Sequence, residues 1–100
     1  MNIEVKENTL TISDLEELTA ANAGTFQKAV QTLMTPSTKK LHLVADTLRL
    51  MDSTGLGALI ILHKRVAQSD GQTIISNPSG IVEQLLKMTC LNRVFQIAKQ

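Results

Sequence analysis

The chain has almost no aromatic side chains. Of its 100 residues only Phe26 and Phe95 are aromatic, and tryptophan and tyrosine are absent. Single-stranded nucleic acid is usually held on stacking aromatics along a basic stripe. Ten basic and nine acidic residues give a net charge of +1 with no run of one sign. The stripe is therefore missing too, and nucleic acid is not an expected partner. The only cysteine, Cys90, precludes an intramolecular disulfide and leaves a zinc cluster without sulfur partners. That usage fits a reducing cytosol. Long apolar runs are also lacking. The stretch Leu56–Leu62 falls far short of the ~20 residues a membrane span needs. Met1 to Lys6 alternates polar and apolar residues, unlike the basic and apolar regions of a signal peptide. The expectation is a soluble, cytoplasmic protein that inserts in no membrane.

What is present suffices for one domain over residues 1–100, without linkers, repeats or low-complexity segments. Hydrophobic residues make up 43% of the chain, so aliphatic residues and methionine must fill the core. Ile3 and Val5 alternate with Glu4 and Lys6, Glu7-Asn8 suits a turn, and Thr9 to Ile12 alternates again, which predicts a hairpin. Thr19 to Met34 has helix periodicity, with Phe26, Val30, Leu33 and Met34 on one stripe and Pro36 enforcing the stop. Leu41–Val44 reads as a central strand. A second helix is expected over Ser53 to about Gln68, with Leu56, Leu59, Ile60, His63 and Val66 on its buried face and Gly71 as a left-handed residue after it. Thr73–Ser76 is a strand. A third helix follows Ser79, with Ile81, Val82, Leu85, Leu86 and Met88 as its apolar side, and Val94–Ile97 is a last strand. The order β-β-α-β-α-β-α-β predicts an α/β domain, a mostly parallel or mixed sheet of about five strands with three flanking helices. Three helices are too few to cover both sheet faces.

The stretch Asp52-Ser53-Thr54-Gly55-Leu56-Gly57 admits four chemistries. As a nucleophile Ser53 needs a base, but His63 is ten residues along the same helix, ~15 Å up the axis. Nothing requires His42 to face Ser53, and Gly-x-Ser-x-Gly is absent. A phosphate cradle lacks the P-loop lysine and the G-x-G-x-x-G spacing, and Asp52 would repel a nucleotide. Asp52 is a good N-cap, complementing the helix dipole. A cap alone leaves Gly55 and Gly57 unexplained, since each costs up to ~1 kcal/mol in a helix. Bare glycines would let another backbone approach Ser53. Ala58, Ile61 and Leu62 fall outside the expected core stripe, and Gly57, Ile61 and Lys64 form a line leading from Ser53. Either this helix packs on two sides or it exposes an apolar patch of the kind that marks partner surfaces. A serine at such a position suits phosphorylation. A phosphate would sit among free helix amides and carry about −1.5 to −2 charges into an apolar interface.

These six residues resemble the signature loop of the STAS domain, specifically the bacterial anti-sigma factor antagonists. Leu10 to Glu16 is similar to the family's strand ending in Gly-Glu-Leu-Asp, and Leu85 to Leu91 to its late Leu-x-x-Thr-Gly-Leu stretch. The chain departs from the pattern at Ser13 (usually Gly), Glu16 (usually Asp), Val44 (commonly Asp, with Asp46 as a stand-in) and Cys90 (usually Gly). Cys90 is expected as a small buried hydrophobe. The resemblance implies a binding module rather than an enzyme, with no cofactor and no metal. Its partners would be an anti-sigma factor that is also an ATP-dependent serine kinase, which modifies Ser53, with Thr54 as second choice, and a metal-dependent serine phosphatase that resets it. Asp52, Thr54, Gly55, Leu56, Gly57, Ile61 and Glu16 would form the partner surface. Two other readings stay open. One is an accessory STAS subunit docking on an ABC transporter ATPase without phosphorylation, and the other is a hydrolase centred on Ser53.

Overall fold

Alternation along the strands decides which side of the sheet is covered. In the computed structural model, which describes residues 1–100, β1 (Asn2–Lys6) and β2 (Thr9–Ser13) form the expected antiparallel hairpin. β4 (Lys40–Val44) lies parallel to β2, β6 (Gln72–Ser76) parallel to β4, and β7 (Gln96–Ala98) parallel to β6, giving the order β1-β2-β4-β6-β7. The register aligns Leu10 with Leu41 and Thr73, and Ile12 with Leu43 and Ile75. All six are fully buried on one face. Thr11, His42 and Ile74 line up on the other face and are only half-buried. The helices α1 (Ala23–Leu33), α2 (Ser53–Ala67) and α3 (Gly80–Met88) complete a single α/β domain with a mixed five-stranded sheet. None of its helices is long and apolar enough to cross a membrane.

A second sheet of two short strands, β3 (Glu17–Leu18) and β5 (Leu50–Met51), was not expected from periodicity. It shortens α1. Thr19 to Asn22, expected inside the helix, instead form a turn leaving β3. The Thr19 N–H donates to Asn22 Oδ1 at 2.9 Å, and Asn22 Nδ2 donates to the Glu17 carbonyl at 2.8 Å. Phe26, Val30 and Met34 are buried, whereas Leu33 points to solvent.

The stripe of α2 also differs from expectation. Gly55, Leu56, Ala58, Leu59, Leu62 and Val66 are buried, Ile60 and His63 are half-buried, and Ile61 is exposed. The helix packs on α1 as well as on the sheet, so its buried arc widens to take in Ala58 and Leu62. On α3, Val82 and Leu86 enter the core while Ile81 and Met88 do not. The residue with positive φ after α2 is Asp70, at 58°, rather than Gly71. Gly71 serves a different need, because a Cβ there would lie 2.5 Å from the Lys39 carbonyl oxygen. Cys90 is exposed and keeps a left-handed turn at φ 61° without glycine, so it is not the buried hydrophobe expected. A 3₁₀ turn, Leu91–Arg93, follows it and delays β7 to Gln96, leaving Val94 exposed and Phe95 in the core.

His63 closes one side of that core. Its Nδ1 is 2.8 Å from Thr73 Oγ1, and its ring meets Phe95 edge-on at 5.3 Å. Desolvation holds its pKa below the ordinary value. The folded state therefore binds this proton less well than the unfolded chain. The stability that follows is complete above the unfolded value of about 6.5 and is lost as pH falls from there through the lowered folded value. Urea unfolding followed from about pH 7 to pH 5 should show falling stability, with a shallower slope in His63→Gln.

The two early glycines of α2 make a second, paired prediction. A Cβ on Gly55 would lie 1.8 Å from the Leu18 carbonyl oxygen, whereas one on Gly57 would meet nothing within 4 Å. Gly55→Ala should destabilise the domain by roughly 1–3 kcal/mol through overpacking. Gly57→Ala should stabilise it by up to ~1 kcal/mol through helix propensity. Denaturant titration of both variants distinguishes them.

Candidate functional site

β3 and β5 run parallel and stop together, so the residues that follow them, Thr19-Ala20 and Asp52-Ser53, emerge side by side. Asp52 joins the two. Its backbone is extended, and its Oδ1 accepts the Gly55 N–H at 2.8 Å, which makes it the N-cap of α2. Its Oδ2 accepts the Ala20 N–H at 3.0 Å, and its own N–H donates to the Leu18 carbonyl at 3.3 Å. The Gly55 amide, then the Ala20 amide, lower the Asp52 pKa by bonding its charged form. One carboxylate thus caps a helix and ties it to the turn before α1.

Ser53 and Thr54 are the first residues of α2, and both are exposed. Their amides have no acceptor within the helix, as at any helix N-terminus. Neither imidazole is bonded to Ser53. His42 Nε2 lies 3.0 Å from Ser76 Oγ on the open sheet face, and His63 is engaged by Thr73.

The other residues expected in a partner surface separate into three groups. Gly57 is half-exposed with open space around it, and Ile61, one turn further, is 46% exposed. These two extend the surface that Ser53 begins. Gly55 and Leu56 are buried. The missing side chain at Gly55 admits the backbone of the chain's own β3, not that of another protein. Glu16 is exposed but set back from Ser53. Its carbonyl accepts the Arg49 N–H at 2.9 Å at the far end of the short ladder, about 10 Å from Asp52 along the strand. Asp46 lies at the end of β4, where its two oxygens accept from Asn77 Nδ2 at 3.2 and 3.3 Å.

Two features near Ser53 have no counterpart in the sequence reading. One is the Thr19–Asn22 turn. The other is a shallow groove beside Met51, formed with Ile81, Gln84, Leu85 and Met88. Ile81 is 63% and Met88 74% exposed. Their helical spacing with Val82 and Leu86 had assigned them to the core. Only the short β5 strand, against which α3 packs, reveals that they rim a groove.

Removing the Asp52 carboxylate tests the tie directly. Asp52→Ala should fold, melt at lower temperature than the parent, and exchange the Ala20 and Gly55 amide hydrogens faster, as read by NMR. The carboxylate is ionised above its lowered pKa, so the difference in melting temperature between Asp52→Ala and the parent should shrink as pH falls through that value.

The model of the STAS domain matches residues 1–100. A Thermotoga maritima protein named as an anti-sigma factor antagonist is 26% identical over 95 residues, covering 94% of this chain and 84% of that one. A crystal structure of such a protein from Thermotoga maritima superposes with a TM-score of 0.88 at 25% identity, over 99% of this chain and 86% of that one. The anti-sigma factor antagonist SpoIIAA in its unphosphorylated form shares the fold, with a TM-score of 0.82 at 22% identity over 97% of this chain and 86% of its own. By a family match along its whole length and by this architecture, the chain belongs to the STAS domain family.

Proposed function

We propose that this protein is a cytoplasmic anti-sigma factor antagonist that works as a partner switch. In the unmodified state it would dock on an anti-sigma factor through the N-terminal end of α2. The bound factor, also an ATP-dependent serine kinase, then modifies Ser53 and the complex separates. In that step Ser53 Oγ bonds to the γ-phosphorus of ATP, the bond to the ADP oxygen breaks, and the hydroxyl proton leaves to a base on the kinase. A metal-dependent serine phosphatase hydrolyses the ester and restores the first state.

One observation carries this reading: Ser53 is exposed at a capped helix start that continues into the bare Gly57 and the exposed Ile61. The backbone N–H groups at this helix start can donate to a phosphate without disturbing the fold. The phosphate would also place about −1.5 to −2 charges beside the ionised Asp52. Desolvating that concentration of charge against an apolar partner is costly, so docking is lost while the domain stays folded. Thr54 is the second-choice acceptor.

The test uses a purified ATP-binding anti-sigma kinase from the same genome. The parent should bind and acquire one phosphate. Ser53→Ala should bind without being modified, and Ser53→Asp should fold yet bind at least ~10-fold more weakly. Ile61→Glu should keep its circular dichroism spectrum and also dock more weakly. Equal binding by the parent, Ser53→Asp and Ile61→Glu would overturn the reading. If they bound a transporter ATPase equally instead, a constitutive docking subunit would take its place.

A further inference from the structure

β1 is an edge strand whose hydrogen-bonding direction can be worked out from its neighbours. The Asn8 carbonyl accepts the Lys39 and Lys40 amides, at 2.8 and 3.1 Å. The backbone at Asn8, and by alternation at Leu10 and Ile12, therefore faces β4. That at Thr9, Thr11 and Ser13 faces β1. These residues pair with Lys6, Glu4 and Asn2. The N–H and C=O groups of Ile3 and Val5 are left pointing outward, at the rim of the sheet.

Edge strands are commonly guarded by proline, a bulge or charged side chains, lysine above all. β1 has neither proline nor bulge, and its register with β2 is unbroken from Asn2 to Lys6. Val5 is 49% exposed on the helix-bearing side of the sheet. Its charges, Glu4 and Lys6, have opposite signs, flank Val5 and have no ion-pair partner within the chain. This order is self-complementary. In an antiparallel pair centred on Val5, the outward groups of Val5 bond those of its symmetry mate. Glu4 then stands opposite Lys6 of the second copy, twice over, in the closely spaced type of cross-strand pair. Centring the pair on Glu4 would oppose two carboxylates instead.

We infer that a second copy of this chain pairs with β1 in an antiparallel arrangement centred on Val5, joining the two sheets edge to edge. The contact is small, so the dimer is weak and concentration-dependent. β1 and β7 form opposite edges of the sheet, and Ser53 belongs to neither edge. Each dimer would present two copies of the α2 surface. This inference does not rest on phosphorylation or on any partner.

Sedimentation equilibrium of the full chain over a wide concentration series tests it, with circular dichroism to verify folding. The parent should self-associate. Glu4→Lys and Lys6→Glu should each be monomeric alone, because each places like charges across the contact. Mixed together, they should form a heterodimer, and the double variant carrying both exchanges should recover self-association. A parent that stays monomeric throughout would overturn the inference. A dimer indifferent to both charge changes would do so too. If that dimer were instead abolished by Met88→Glu, the apolar groove on α3 would be the contact.

Discussion

The first turn of α2 is pressed against the end of β3 more tightly than any side chain would allow. No Cβ fits between Gly55 and the Leu18 carbonyl, and Asp52 bonds both sides of the same junction, at Gly55 and at Ala20. The fixed placement of Ser53 depends on this contact. If α2 began further from β3, Asp52 could not reach Ala20, and the serine would sit on a loop without a fixed orientation. With the contact made, Ser53 stands at a fixed helix start, and in the proposed docking a partner need not order it. The same contact explains the pairing of β3 with β5, two strands too short to stand alone.

Much of the fold was legible because period and position agreed. The hairpin, the central apolar strand and the three helices all carried patterns that the sheet and its single covered face required. The errors fell where short-range rules compete with tertiary contacts. Two-residue strands such as Glu17–Leu18 have no period to read, so β3 carries no sequence signal and the Thr19–Asn22 turn after it reads as the start of a helix that begins only at Ala23. In the run Ile60-Ile61-Leu62 all three residues are equally apolar, and the packing of α1 against α2 determines that Leu62 is inside and Ile61 outside. Asp70 takes the positive φ, while Gly71 is set by the close approach of the Lys39 carbonyl, which leaves no room for a Cβ.

The candidate site was legible to a similar degree. Asp52 as a cap and Ser53 as its exposed neighbour follow from local rules that long-range packing leaves intact. Gly55 and Gly57 look alike in sequence, yet one is filled by the chain's own backbone and the other faces open space. Nothing local separates them. The bond to Ala20 spans 32 positions and had no sequence signal. The exposed rim of Ile81 and Met88 was hidden because an apolar residue at helical spacing is read as core.

The most direct measurement is tandem mass spectrometry of the protein taken from its native cells, with and without phosphatase treatment. The account predicts one phosphatase-sensitive phosphate, mapped to Ser53, in part of the population. A chain that carries no phosphate under any growth condition, or carries it only at a site outside α2, would contradict it.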